Sequence, residues 1–170
     1  MKKSALIAAL LSLTACSPPE LLSTLNKFVP GDGGAHRVAE GVSFAPDRGL
    51  KLDVWSPRRA GHPLPVVIFL YGGGWVAGSR GGYAFAGSAY AGQGFVTVVP
   101  DYRLVPAVRF PAFVEDGALA VKWTRDNIAR FGGDPDRIAL AGHSAGSYNA
   151  AMLALDPHYL RDAGVPAGTI

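Results

Sequence analysis

The chain has 170 residues, enough for one globular domain or part of one and too few for two full-sized domains. Apolar residues make up 49% of it and charged residues 17%, so the chain can bury a core and is not intrinsically disordered. The net charge is +3, and the basic residues do not cluster into a stripe, which argues against a nucleic-acid partner. The single cysteine excludes an internal disulfide framework and a thiolate metal cluster.

The first segment has the features of an export signal. Lys2 and Lys3 precede an apolar run over residues 5–13, which is too short to cross a bilayer as a helix. The run ends in the sequence LTAC, which resembles the bacterial lipobox and contains the only cysteine of the chain, Cys16. The resemblance implies that residues 1–15 are a signal peptide and that a lipid on Cys16 anchors the protein to the membrane of the bacterial cell envelope. Plain secretion with cleavage nearby is the alternative.

The next segment has the composition of a tether. Residues 16–35 are rich in proline, glycine, serine and small polar residues and contain PGDGG near their end. Such a composition is typical of a flexible linker. By the same resemblance to lipoproteins, Ser17 favours sorting to the periplasmic face of the outer membrane. We expect the globular part to occupy residues 36–170.

Hydrophobicity patterns predict the strands of the globular part. Residues 50–55 alternate between apolar and polar side chains, with Asp53 on the polar side, which predicts a half-exposed strand paired with residues 38–44. Continuous apolar runs predict three further strands, each buried on both faces. These runs are residues 66–70, 95–99 and 138–141.

Helix-length segments separate the apolar runs. Residues 111–131 carry apolar side chains at helical spacing, start with a proline and end before two glycines. Residues 145–155 predict a second helix, and residues 83–93 a weaker one that glycines interrupt. Strands that alternate with helices indicate an α/β fold with a mostly parallel, twisted sheet, right-handed crossovers and helices on both faces.

One serine lies in a G-x-S-x-G motif between a predicted strand and a predicted helix. The motif consists of Gly142, His143, Ser144, Ala145 and Gly146. In this context the serine is held in a strained turn above the sheet edge, and its hydroxyl lies at a helix amino terminus, where N–H groups favour a developing oxyanion. The alternative is that Ser144 only caps the helix.

A glycine-rich loop, Tyr71–Trp75, follows the first buried strand. Its three consecutive glycines let backbone N–H groups approach a ligand without obstruction, although an ordinary glycine loop is the alternative. Because ligands of open α/β folds bind at the carboxyl edge of the sheet, this loop and Ser144 would together form an acyl-transfer site there. We expect Trp75 to pack beside the loop, with a role in an acyl pocket as the alternative.

At these residues the chain strongly resembles the bacterial α/β-hydrolases of the hormone-sensitive-lipase and feruloyl-esterase-like carboxylesterase group. The resemblance begins at about Val38 and reaches the end of the chain. Its ordered motifs are YGGGW at 71–75, DYRL at 101–104, FP at 110–111 with Asp116, FGGDP at 131–135 and GHSAG at 142–146. The resemblance implies an α/β-hydrolase fold, hydrolysis of small-molecule carboxylic esters, and no metal or organic cofactor.

The resemblance also implies roles for individual residues. Ser144 corresponds to the nucleophile that forms an acyl-enzyme, and the backbone N–H groups of Gly73, Gly74 and Ala145 correspond to the oxyanion hole. The family usually has histidine at the position of Tyr71, where the side chain props the glycine loop, and a phenol can still donate one hydrogen bond there. The remaining motif residues support the loop and the turn: Gly72, Gly142, His143 and Gly146.

Three aspartates precede Ser144 and receive structural interpretations. This fold places its catalytic acid and histidine after the nucleophile in the chain. We therefore expect Asp101 to form an ion pair or turn bracket with Arg103. Asp116 is expected to bind the loop from a helix face, and Asp134 to be a turn residue.

The serine lacks an evident general base. Only His158 follows it, and a helix over residues 145–155 would place that imidazole roughly 15–20 Å from the hydroxyl, far beyond hydrogen-bonding distance. His143 adjoins the serine, but successive side chains on such a turn point apart, and His36 and His62 lie in early linker and loop segments. We therefore interpret the sequence as the amino-terminal portion of a hydrolase, cut from a longer reading frame or left by a decayed gene.

As such, the chain is expected to be weakly active or inactive, and its last predicted strand to have an unpaired edge. Other functions stay open at this point. A hydrolase scaffold can serve as a non-catalytic binding module, and a fragment can be nonfunctional. An amide substrate, as in arylformamidases and peptidases, also stays open because these enzymes share the turn and the glycine loop.

Overall fold

A five-stranded sheet with flanking helices forms the part of the chain that the computed structural model describes, residues 34–58 and 61–170. Its strands are β1 (Ala35–Ala45), β2 (Leu50–Pro57), β3 (Leu64–Leu70), β4 (Val96–Pro100) and β5 (Gly133–Gly142). Its helices are α1 (Ala84–Gly92), α2 (Ala112–Asn127), α3 (Ala145–Leu155) and α4 (His158–Asp162), with short 3-10 helices at Pro46–Arg48 and Ile128–Phe131. Every strand and helix predicted for the globular part is present, and α4 is an addition to them.

Several expectations fall on residues that the structure does not describe. The predicted signal peptide, Cys16 and the tether up to residue 33 lie outside the described residues. Within the described ranges, no helix combines the length and the apolar character needed to cross a membrane.

The strand order of the sheet is β1-β2-β4-β3-β5. β3 is parallel to both of its neighbours, β4 and β5, whereas β2 is antiparallel to β1 and β4. The connection through α1 runs from β3 to β4, and the connection through α2 returns past β3 to β5. Because parallel crossovers are right-handed, these opposite directions place α1 and α2 on opposite faces of the sheet. The predicted α/β class and the predicted pairing of residues 38–44 with 50–55 are confirmed.

The core lies on both faces of β3 and β4. Val66, Ile68 and Val98, on one face, are 0% exposed, and Val67 and Val99, on the other face, are 5% and 0% exposed. Helices α1 and α2 cover the two faces. Burial of each such aliphatic side chain contributes roughly 1.5–3 kcal/mol to folding. The interpretation of these apolar runs as strands buried on both faces is confirmed.

β5 is less buried than its apolar sequence predicts. Ile138 is buried and Leu140 half-buried, but Ala139 is exposed. The strand pairs with β3 on one side, and no other strand of the described ranges borders it on the other. Solvent therefore reaches β5, in agreement with the unpaired edge expected for this strand.

Asp53 corrects the alternation predicted for β2. Its side chain was expected on the exposed face but is 1% exposed. Its carboxylate accepts hydrogen bonds from the guanidinium groups of Arg37 at 3.2 Å and Arg80 at 3.0 Å, and from the Gly41 N–H at 2.7 Å. A buried carboxylate is tolerated when such donors satisfy it. The alternation pattern of one strand contains no information about partners from other segments.

Candidate active site

The turn between β5 and α3 has the geometry that the G-x-S-x-G motif predicts. Ser144 lies between the two elements with φ 51° and ψ −117°, a backbone conformation that residues other than glycine rarely adopt. Holding it costs on the order of 1–3 kcal/mol, which surrounding contacts must supply. The Ser144 side chain is exposed and makes no capping hydrogen bond, so the alternative of a simple helix cap is wrong.

The two glycines of the turn are required by close backbone contacts. A Cβ atom on Gly142 would lie 2.6 Å from the carbonyl carbon and oxygen of Gly146. A Cβ atom on Gly146 would lie 2.0 Å from the carbonyl oxygen of Leu70 at the end of β3. These glycines therefore let β5, the turn and α3 pack directly on one another and on β3.

The glycine-rich loop after β3 is a tight, internally bonded turn. The carbonyl oxygen of Gly73 accepts hydrogen bonds from the N–H groups of Val76 at 3.1 Å and Ala77 at 3.0 Å. Gly73, Gly74 and Trp75 all have positive φ angles, of 138°, 61° and 60°. A Cβ atom on Gly73 would lie 2.1 Å from the Ala77 carbonyl oxygen, so this position requires glycine.

The glycine loop and the serine turn meet at the same edge of the sheet. Leu70 and Gly142, the last residues of β3 and β5, are partners in the parallel ladder. The His143 N–H donates a hydrogen bond to the Leu70 carbonyl oxygen at 3.1 Å. A Cβ atom on Gly72 would lie 2.6 Å from the His143 ring nitrogen Nδ1, so the two segments are in contact. The expected juxtaposition is confirmed.

Several backbone N–H groups at this edge are available to a ligand. Among the residues that the structure describes, none accepts a hydrogen bond from the N–H groups of Gly73, Gly74 or Ala145. Ala145 is the first residue of α3, where the partial positive charge of the helix dipole adds to the effect of the N–H groups. This arrangement can stabilise negative charge that develops on an oxygen beside Ser144.

Hydrogen bonds to Tyr102 hold Tyr71, the first residue of the glycine loop, in place. Its hydroxyl donates a hydrogen bond to the Tyr102 carbonyl oxygen and accepts one from the Tyr102 N–H, both at 3.3 Å. The Tyr102 hydroxyl in turn donates to the Tyr71 carbonyl oxygen at 2.6 Å, and the two rings stack with centroids 4.3 Å apart. Burial raises the pKa of both phenols, so they stay protonated and neutral. The Tyr71 hydroxyl thus donates one hydrogen bond, as a phenol there was expected to, and its partner is Tyr102, which follows β4.

Sequence reasoning missed Tyr83, which supports His143. The Tyr83 hydroxyl lies 2.9 Å from His143 Nδ1 and is close to Gly72 as well. Burial is the main cause that raises the pKa of this phenol. Tyr83 directly precedes α1, and the local sequence pattern indicates only the start of a weak helix there. No local pattern relates it to a residue after β5.

Trp75 packs between the loop and α3. Its ring stacks on Phe113 at a centroid distance of 5.3 Å and meets the edge of Tyr148 at 5.5 Å. Its indole Nε1 donates a hydrogen bond to Asn149 Oδ1 at 3.0 Å. The expected packing of Trp75 beside the loop is confirmed, and sequence reasoning missed Asn149.

Apolar side chains remain exposed beside the serine turn. Val76, Phe110 and Tyr148 are 64%, 52% and 44% exposed. The rings of Phe110 and Tyr148 lie 6.5 Å apart, and Tyr148 follows Ser144 by one helical turn. This surface offers an environment for an apolar substituent of a molecule held at Ser144.

The predicted partner of Asp101 is wrong. Asp101 pairs with Arg80, not with Arg103. Arg103 instead binds Asp116 through its backbone N–H at 3.0 Å and through two guanidinium bonds at 2.8 Å. Asp116 thus binds, from a face of α2, the segment that follows β4 and not the glycine loop itself, and its side chain is 0% exposed. An acidic and a basic residue two positions apart suggested the incorrect pair, because sequence proximity does not reveal which way each side chain turns.

Asp134 was predicted as a turn residue but lies in β5, at the irregular start of the pairing between β5 and β3. Its carboxylate accepts a hydrogen bond from the Asp136 N–H at 3.0 Å and pairs with Arg137 at 2.7 Å. The hydrogen bond from Arg137 is the main cause that lowers the pKa of this carboxyl group. It therefore has a local structural role.

No histidine of the described residues hydrogen-bonds to Ser144. His143 Nδ1 faces Tyr83, and His158 Nδ1 pairs with Asp156 at 2.5 Å. His62 Nδ1 lies 3.0 Å from the Pro63 carbonyl oxygen, and His36 Nδ1 is buried with no hydrogen-bond partner among the described residues. The site thus combines a strained serine and unpaired N–H groups without a general base from the described residues. These residues also contain no group of three or more histidine, cysteine or acidic side chains that could hold a metal ion.

Comparison with known proteins identifies the family. The BD-FAE family model matches residues 52–161, well over half of the chain. The chain belongs to the BD-FAE family. This BD-FAE chain is similar to the esterase LipC of Mycobacterium tuberculosis, with 42% identity over 134 residues that cover 75% of the chain and 32% of LipC. It is also similar to the carboxylesterase NlhH of that organism, with 36% identity over 152 residues that cover 88% of the chain and 43% of NlhH.

Solved esterase structures share the fold of the BD-FAE chain. An esterase of Pyrobaculum calidifontis has 35% identity and a TM-score of 0.69, over 87% of this chain and 47% of that one. A bacterial heroin esterase has 26% identity and a TM-score of 0.70, over 91% of this chain and 52% of that one. The chain therefore has the α/β-hydrolase fold and spans about a third to a half of the relatives that it matches. Ester hydrolysis is supported at the level of the family.

Proposed function

We propose that the protein is a serine carboxylesterase in which Ser144 attacks the carbonyl carbon of a small-molecule ester. The observation that carries this proposal is the meeting of two loops at one sheet edge. One presents a strained, exposed serine. The other, with the start of α3, presents the N–H groups of Gly73, Gly74 and Ala145, from which no described residue accepts a hydrogen bond. The esterase relatives support the substrate class.

The proposed reaction consists of two acyl transfers. In the first, Ser144 Oγ bonds to the carbonyl carbon while a general base takes the hydroxyl proton, and the carbonyl electron pair moves to its oxygen. The N–H groups of the two loops stabilise this oxyanion. The electron pair then returns, the bond to the alcohol oxygen breaks, and the alcohol leaves with the proton. Water repeats the attack on the acyl-enzyme, releasing the acid and restoring Ser144.

The general base determines how fast the 170-residue chain can react. Because no described histidine bonds to Ser144, we expect only weak turnover from the chain alone. A serine site that lacks triad members retains roughly 10³- to 10⁴-fold catalysis over water from its oxyanion hole and binding. Added imidazole should supply part of the missing proton transfer and raise the rate.

Intact-mass analysis after treatment with a fluorophosphonate tests the proposal. With imidazole added as the base, we expect one adduct per chain after long incubation, located on Ser144 by peptide mapping, and none on Ser144→Ala. Hydrolysis of a p-nitrophenyl ester should rise with imidazole in the wild-type chain more than in this variant, which corrects for the reaction of imidazole itself. A p-nitroanilide measured in parallel distinguishes ester from amide preference. Esterase activity in Ser144→Ala equal to that of the wild-type chain would contradict the proposed mechanism.

A non-catalytic ester-binding module is the second candidate. The observation that favours it is that no described histidine hydrogen-bonds to Ser144, and that His143 Nδ1 and His158 Nδ1 contact Tyr83 and Asp156 instead. This candidate predicts that an ester shifts the amide NMR resonances of the two loops. It also predicts no fluorophosphonate adduct and no turnover that depends on imidazole.

We further propose that the protein is exported and anchored to the cell envelope through a lipid on Cys16, with residues 1–15 removed. The LTAC sequence and the preceding basic and apolar segments support this proposal. Metabolic labelling with an alkyne fatty acid in a Gram-negative host should label the wild-type chain in the membrane fraction. Cys16→Ser should remain unlabelled, and equal labelling of the variant would contradict the proposal.

A further inference from the structure

α3 carries a buried amide on an otherwise small or apolar inner face. The buried residues of this helix are Ala145, Gly146, Asn149 and Leu153, and Asn149 is 0% exposed. Asn149 thus occupies a position between Ala145 and Leu153 where an apolar residue would ordinarily pack. Burial of an amide is unfavourable unless hydrogen bonds replace those lost to water.

The hydrogen bond that Asn149 makes reaches into the glycine loop. Its Oδ1 accepts the indole N–H of Trp75 at 3.0 Å. An indole only donates, so this contact determines that the oxygen of the amide faces Trp75. The Nδ2 group is then buried without a partner among the described residues. The bond to Trp75 is therefore the interaction that compensates for burying this amide.

Trp75 in turn is held in a strained conformation at the end of the three glycines. It has a φ angle of 60°, which is unfavourable for a bulky residue. Its carbonyl oxygen accepts the Val105 N–H at 2.8 Å, and its ring lies against Phe113 and Tyr148. The bond to Asn149 fixes the far end of the same side chain.

We propose that Asn149 is a positioning residue that holds the glycine loop at a set distance from Ser144 by acting through Trp75. One helix, α3, carries Asn149 and begins directly after Ser144. The distance along its axis between Asn149 and Ser144 is about 7.5 Å. The helix thereby aligns the N–H groups of Gly73 and Gly74 with that of Ala145. The role in ester cleavage rests on the proposed function. The hydrogen-bonded link from Asn149 through Trp75 to the glycine loop, called the tie below, does not.

Amide hydrogen exchange at Val76 and Ala77 tests the tie, because their N–H groups close the glycine loop on Gly73. Asn149→Leu keeps the side-chain volume and removes the acceptor. We expect exchange at these two amides to be about five- to tenfold faster, the effect of losing one hydrogen bond, while the β4 amides keep their rates.

Two further variants keep the test decisive. Thr124→Val is the matched control, since Thr124 is also 0% exposed but bonds within α2 to Ala120. It should leave Val76 and Ala77 unchanged. Trp75→Phe removes the indole donor and keeps an aromatic ring. It should accelerate exchange at Val76 and Ala77 as Asn149→Leu does, and the double variant should show no additional effect. If Asn149→Leu does not fold, Trp75→Phe provides the same test in its place.

Two results would overturn the proposal. One is unchanged exchange at Val76 and Ala77 when either partner of the hydrogen bond is removed. The other is an equal acceleration of all amides, which would show that Asn149 acts only on global stability. Fluorophosphonate labelling of the same variants separates this proposal from the proposed function. Absent labelling of the wild-type chain argues against the esterase, and the exchange rates still decide the tie.

Discussion

Replacing Gly146 with alanine tests whether direct packing of α3 on β3 holds the serine turn. The new Cβ atom would lie 2.0 Å from the Leu70 carbonyl oxygen and 2.4 Å from that of Tyr71. Close carbon–oxygen contacts in proteins are about 3.3 Å, so α3 and β3 must separate by roughly 1.3 Å. Both atoms belong to the backbone, so rotation of a side chain cannot relieve the contact.

This separation has two measurable consequences. Alanine is more favourable than glycine in a helix by about 1 kcal/mol, but overpacking costs roughly 1–3 kcal/mol or more. We therefore expect Gly146→Ala to lower the free energy of unfolding by about 2 kcal/mol. Because α3 carries Ala145 and adjoins Ser144, a shift of about 1 Å should also slow fluorophosphonate labelling on the order of 100-fold.

Gly117→Ala in α2 is the matched control. A Cβ atom there would meet first Leu153 Cδ1 at 3.1 Å, the end of a flexible side chain. We expect its stability to stay within about 1 kcal/mol of wild type. Urea unfolding followed by tryptophan fluorescence measures stability, and the rate of adduct formation measures the site. Unchanged stability and labelling in Gly146→Ala would refute the close packing of the turn on β3.

Three further predictions concern the groups that support the site. Asp116→Asn should lower the free energy of unfolding, measured in urea, by about 3 kcal/mol, because it breaks a buried ion pair. Asp134→Asn is the control, since the Asp134 side chain is 26% exposed, and equal effects would contradict this prediction. Tyr71→Phe should lower the free energy of unfolding by about 1–2 kcal/mol, because the buried Tyr102 N–H loses its acceptor. An unchanged melting temperature would argue against this role of Tyr71. Burial raises the pKa of Tyr71 and Tyr102 above the value of the unfolded chain. The unfolded state therefore releases their protons first, so stability should be retained below pH of about 10 and fall above it. Thermal melts should show a smaller fall in Tyr71→Phe, and an identical pH dependence in both chains would refute this.

The sequence alone determined the elements and the serine turn, because these depend on local information. Continuous apolar runs indicated β3 and β4, and helical spacing indicated α2. The flanking glycines indicated the turn at Ser144, since only that residue type permits the backbone contacts found at Gly142 and Gly146. The match to ordered family motifs added the roles assigned to the glycine loop.

Tertiary structure alone decided which distant side chains meet. Tyr71 binds Tyr102, Tyr83 faces His143, and Trp75 binds Asn149, and the partners in each pair come from different elements. Tertiary contacts also explain why Asp101 pairs with Arg80 and Arg103 with Asp116, and why Asp53 is buried. Periodicity records which face of an element is apolar, but not which element will cover that face. The order of strands in the sheet sets those contacts, and with them the hydrogen bonds that hold the loop beside the serine.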